Sequence, residues 1–193
     1  MASDVDIANL ALVHLGDAGR VTSIAPPDSS KYAASCAQFF GIARDTLLSA
    51  HAWSFALRRT ALSLQTATIP GYEYAYTLPS ACLRAYRLLQ TDSAEEFPGF
   101  EYIIEGGVLH CNVEGAILQY VYSAPATVLF PAPAVLAFSY ALAALLAGPV
   151  TRSTKVAQGM SALYVATLGT AIAVDASQST ARPVHKPAWL RAR

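Results

Sequence analysis

Apolar residues recur at steps of three and four at both ends of the chain and crowd or alternate in the middle, a pattern that predicts helices flanking strands. Near the start, Ile7, Leu10, Ala11 and His14 follow Ser3, Asp4 and Asp6, a capping side chain with acids in the first turn, and Gly16 supplies a stop. This predicts a helix over about 4–15, followed by a loop pinned by Ile24. Asp28, Ser29 and Ser30 are placed to cap a second helix over about 28–51. Its core stripe is Tyr32, Cys36, Phe39, Phe40, Ala43 and Leu47. Trp53 and Phe55 come just past it and read as core aromatics between helix and sheet.

The middle, about 58–123, reads as a β-rich insertion. Arg58–Thr66 and Tyr72–Thr77 are extended candidates on either side of a Pro70–Gly71 turn, and Leu83–Leu89 follows. Gly106-Gly107 between Tyr102–Ile104 and Val108–Leu109 is a two-residue hairpin signal. Asn112–Gly115 makes the turn before Ile117–Tyr122, the strongest strand. Tyr72, Tyr74 and Tyr76 alternate, so they line one strand face, either in the core or against another subunit.

Pro131 and Pro133 suit the first turn of a third helix, about 134–147, which is apolar nearly all round and so must be buried on most sides. Gly148-Pro149 is expected to end it. A last helix over about 153–177 places Val156, Met160, Leu163, Tyr164, Thr167 and Ala171 on one face and carries only Lys155 and Asp175 as charges. So few charges imply that its far side also packs on something. The whole is an α+β fold: a helical bundle with a small antiparallel sheet between its N- and C-terminal helices. Residues 1–178 form one domain and 179–193 an extended C-terminal arm.

Composition sharpens this picture. Apolar residues make up 54% of the 193-residue chain and charged residues 13%, about half the share of an average soluble domain. A surface so poor in charge favours association with other chains. Thirteen bases balance thirteen acids, which argues against a globally basic coat for nucleic acid. The balance hides an asymmetry. Asp92, Glu95, Glu96, Glu101, Glu105 and Glu114 lie together without a base, while the arm carries Arg182, Lys186, Arg191 and Arg193 around Trp189 and Leu190 without an acid. The arm suits docking into a partner's groove. The acids suit a basic partner, or a wall along which DNA slides without sticking.

Cys36, Cys82 and Cys111 are too few for a disulfide framework and sit in apolar stretches, as reduced thiols would. The longest apolar run, Ala134–Gly148, is shorter than the roughly 20 residues of a membrane span, and the acidic N-terminus does not resemble a secretory signal. A protein made in the cytoplasm, without membrane attachment, is expected. No serine-hydrolase, phosphate-loop or dinucleotide motif occurs, and His14, His51, His110 and His185 stand apart without metal-ligand spacing. No catalytic residue, cofactor or metal is expected. His14, on an apolar helix face, reads as a hydrogen-bonded structural residue.

Four ordered stretches carry a resemblance. They are Ile7-Ala8-Asn9-Leu10-Ala11-Leu12 closed by Leu15-Gly16; Arg44-Asp45-Thr46-Leu47-Leu48 leading into His51-Ala52-Trp53-Ser54-Phe55-Ala56; Tyr74-Ala75-Tyr76-Thr77-Leu78-Pro79-Ser80 with Cys82-Leu83-Arg84; and Leu118-Gln119-Tyr120-Val121. Together, over about residues 4–178, they resemble the bacteriophage tail tubular protein A family, the head-to-tail connectors or adaptors of short-tailed phages. The resemblance implies a structural virion protein that forms a ring, typically of twelve copies, under the portal. Such a ring closes the filled head, seats the tail nozzle and leaves an axial channel for DNA. One branch of phage adaptors is associated with peptidoglycan hydrolysis, so a muramidase using acids among Glu95, Glu96, Glu101, Glu105 and Glu114 is the alternative. The family often has an acid after its Leu-Pro-Ser string; here Ala81 stands there, and no cap or ion pair of that acid carries over.

Overall fold

Helix α1, Asp4–His14, starts as its first residues dictate. Ser3 Oγ accepts the Asp6 amide at 3.2 Å and the Asp6 carboxylate accepts the Ser3 amide at 2.9 Å, a closed capping box. It stops at Gly16, whose φ of 78° lets Gly16 and Asp17 donate back to Val13 and Leu12. The computed structural model describes residues 2–17, 20–66, 68–90, 100–123 and 125–178.

Helix α2 runs Ala33–Ala50, so it begins later than its capping candidates suggest. Asp28 does not cap it. Its carboxylate instead accepts the amides of Thr22, Ser23 and Ser30 and the Thr22 hydroxyl, tying the preceding loop together. Donors from Ser30 and Thr22 hold that carboxyl well below the usual carboxylate range. Helix α3 spans Ala132–Thr151 with Pro133 in its first turn. It does not end at Gly148-Pro149. A proline in the last turn removes one helical bond only, and the helix runs on until Arg152 turns left-handed at φ 53° and donates to Ala147 and Gly148. Ser153 then caps helix α4, Thr154–Ser177.

Helix α3 lies at the centre of the bundle, with α1, α2 and α4 packed around it. Phe138, Leu142 and Leu146 meet Ile7, Leu12, Leu47, Leu48 and Trp53 in a fully buried core. At its edge, His14 stacks on Tyr140 at 4.3 Å and its Nε2 lies 3.1 Å from Ser139 Oγ. That hydroxyl donates to the Leu136 carbonyl, so it accepts the proton of His14 Nε2. Burial lowers the His14 pKa. The unfolded chain therefore binds a proton that the folded chain resists, and stability falls as pH drops through the ordinary histidine range. Urea midpoints should be lower at pH 5 than at pH 7.5, and His14→Gln should flatten that difference; equal slopes in the two proteins would contradict it.

Among the described residues seven strands fill the middle: β1 Leu57–Ala61, β2 Ser63–Gln65, β3 Tyr74–Thr77, β4 Cys82–Gln90, β5 Tyr102–Glu105, β6 Val108–Cys111 and β7 Ala116–Tyr122. They form two antiparallel sheets rather than the single one expected, ordered β1-β7-β4 and β2-β3-β6-β5. The division falls at Leu62, whose amide bonds the Ala116 carbonyl at 2.9 Å, so the stretch read as one strand serves both sheets. A second core of Tyr76, Leu88, Leu109, Leu118 and Tyr120 lies between strands of both. Tyr74 and Tyr76 thus belong to the core, and Tyr76 Oη donates to Val113 at 2.8 Å. Tyr72 precedes β3. Val121 points the other way, into the bundle core.

Candidate functional site

The one buried acid among the described residues is Asp175, 4% exposed, near the end of α4. It accepts the Ser54 amide through both oxygens, the Ser54 hydroxyl at 2.6 Å and His51 Nε2 at 3.3 Å. Serine, histidine and aspartate invite comparison with a nucleophilic triad, but that relay needs the imidazole between hydroxyl and carboxylate. Here the carboxylate lies between the other two. What the cluster does is structural: it caps the 3-10 turn Ser54–Ala56 and ties the end of α4 to the chain leading into β1. The lone acid in an otherwise apolar helix stripe was the sequence signal for it.

The described residues leave most of α4 uncovered. Only Ala171 and Asp175 of its 24 residues are buried. Met160, Tyr164, Leu168 and Ile172 pack on the core, whereas Leu163, expected on that inner face, is exposed. Lys155, Gln158, Ala162, Val165, Gly169 and Ala173 follow one another outward at steps of three and four, and Val165 is 67% exposed. Lys155 is the only charge on this side. Gly159 and Gly169 sit mid-helix with open space where a side chain would be, at a cost of about 1 kcal/mol each relative to alanine.

Helices α3 and α4 are both long and apolar enough to cross a membrane by length and composition, since 20 and 24 residues with few charges satisfy that test. The inner half of α4 is nonetheless part of the bundle core.

Charge divides between the sheets. Strands β1 and β4 carry Arg58, Arg59, Arg84 and Arg87, and the three-stranded sheet holds no acid. The four-stranded sheet and its ends carry Glu73, Glu101, Glu105 and Glu114, all exposed, and no base. Tyr74 and Tyr102 both pair with Cys111, Glu73 and Glu101 precede them in the chain, and the Asn112 side chain accepts the Glu73 amide at 2.9 Å. The Glu114 carboxylate, then burial and Glu73, raise the Tyr74 pKa. Glu73 was not among the expected acids, because it lies far in sequence from the others.

Of the residues singled out from sequence, Glu101, Glu105 and Glu114 are therefore exposed on one sheet. The Cα atoms of Glu101 and Glu105 lie about 13 Å apart in extended chain. Glu95 and Glu96, and the arm residues Arg182, Lys186, Trp189, Leu190, Arg191 and Arg193, lie outside the described residues. Among the described residues no cluster of His, Cys, Asp and Glu could hold a metal ion. Burial pushes the thiols of Cys36, Cys82 and Cys111 up, away from the reactive thiolate. An open groove of about 700 Å³ between α2 and α4 is lined by Ile42, Asp45, Thr46, Ser49, Ala50 and Tyr164.

Fold and surface define an α+β protein with a largely uncovered last helix and an acidic sheet edge. No family model matches the chain, and no curated protein matches it.

Proposed function

We propose that this protein is the head-to-tail connector of a short-tailed bacteriophage, a structural virion component that assembles as a ring beneath the portal and joins capsid to tail. The observation that carries the reading is the outward side of α4: a long, nearly uncharged helical surface with small residues and two unexplained glycines, suited to close approach by another copy. A bilayer fits this surface poorly, because lipid would surround the whole helix and strip away the core contacts of its inner half. The exposed Glu73 and Glu114 suit a channel wall or a tail-facing rim that repels DNA phosphates. The portal and a tail nozzle protein are the expected partners, and the arm is the expected peg, on the portal or on a neighbouring copy.

The test is light scattering after size exclusion, with the protein mixed with purified portal. Co-elution as a ring-sized complex is expected, and Val165→Lys with Gly169→Lys should reduce loading at least tenfold while leaving the melting temperature within a few degrees. Portal that remains bare at high protein concentration would sink the connector reading. Loading unaffected by the two lysines would remove α4 from the ring contact.

A further inference from the structure

β5 is an edge of the four-stranded sheet, and no described strand pairs with its outer side. Side chains alternate along a strand, so Glu101, Ile103 and Glu105 share one side of it. All three are exposed, as are Phe100 and Ile104 beside them. Arg44 pairs with Asp45 and His51 with Asp175, whereas Glu73, Glu101, Glu105 and Glu114 enter no ion pair with a described residue. An edge bearing two unneutralised acids with aliphatic surface between them is a template for an extended, basic segment.

The chain carries one. Residues 179–193 include Arg182, Lys186, Arg191 and Arg193 and no acid. Arg182 and Lys186 each precede a proline, which biases both toward extended backbone. They are four residues apart, as are Glu101 and Glu105, so in extended chains both pairs span about 13 Å. Run antiparallel, Arg182 meets Glu105, Val184 meets Ile103 and Lys186 meets Glu101. Pro183 and Pro187 withdraw backbone donors, so the contact is made by side chains.

We propose that the acidic β5 edge of one copy receives the basic C-terminal segment of a neighbouring copy, with Arg182 and Lys186 on Glu105 and Glu101. This rests on the connector reading in one respect, the presence of adjacent copies. The segment leaves from the end of α4, the helix whose outer side makes the copy-to-copy contact, so it starts at that contact. Two different surfaces of one chain then meet head to tail, the arrangement that closes rings.

Sedimentation velocity of the full chain tests it. Self-association is expected, at least tenfold weaker in 500 mM than in 50 mM salt. Glu101→Lys with Glu105→Lys should weaken it at least tenfold, as should Arg182→Glu with Lys186→Glu. Mixing the two variants should restore it, because each then supplies the complement of the other. Wild-type-like association in either variant overturns the proposal, as does a wild-type chain that stays monomeric at millimolar concentration. Restoration only when all four changes share one chain, with mixtures inert, shows docking within a copy and also overturns it. Portal loading, measured in parallel, reports on the connector reading separately: loading that persists while the reversals do nothing removes this contact alone.

Discussion

Trp53→Ala is expected to cost about 3–5 kcal/mol of folding stability, a drop of roughly 6–20 °C in melting temperature for a chain of this size. Trp53 is fully buried, so alanine leaves a large void in the bundle core. Its indole N–H donates to the Leu47 carbonyl at 2.9 Å, near the end of α2, and that acceptor would lose its partner. His51, Phe55 and the indole form a run of ring contacts, with centroids 5.1 and 5.6 Å from Trp53. Phe55 continues the run to Phe130, just ahead of α3. The void therefore opens where α2, α3 and the start of β1 converge. Trp53→Phe keeps most of the volume and loses the hydrogen bond, so it should cost about a third as much. Thermal unfolding of the three proteins checks both figures, and equal melting temperatures would refute the assignment.

Asp175→Ala is expected to cost about 3 kcal/mol, because it strands the Ser54 amide and hydroxyl and leaves His51 without its carboxylate. Asp175→Asn keeps an acceptor for the Ser54 amide and should cost about half as much. Ser54→Ala removes one donor and should cost about 1 kcal/mol. Urea titrations at pH 7 rank the three. If Asp175→Ala unfolds at the wild-type midpoint, the buried carboxylate is not the tie it is drawn to be.

The order of elements was legible in the chain because each signal was local. The cap at Ser3 and the Gly106-Gly107 hairpin turn formed where expected, Tyr74 and Tyr76 of the tyrosine alternation lie in β3, and the apolar run became α3 with wider bounds than expected. His14 likewise proved to be a hydrogen-bonded structural residue. The misreadings arose where another partner or the neighbouring backbone overrode the local signal. Asp28 had the right chemistry for a helix cap, but Thr22 and Ser23 claimed its oxygens first. Pro149 had the right chemistry for a stop, yet a last turn tolerates it and Arg152 makes the real terminus. Leu163 and Leu168 are equally apolar, and only the direction from which α3 approaches decides which of them is covered. Asp175 was visible as a charge, but its partners lie 121 and 124 residues away. Charge segregation between the sheets was half legible: the acids near the hairpin were plain, but Glu73 joined them only through strand pairing.

The tie at Asp175 has a mechanical side. Helix α4 is fastened at one end by the two-residue link through Arg152 and Ser153, and at the other to Ser54, three residues before β1. A pull applied along its outer side is thus delivered at both extremities, to the central helix and to the root of the strands, so tension on this helix strains both halves of the molecule together instead of peeling the helix away.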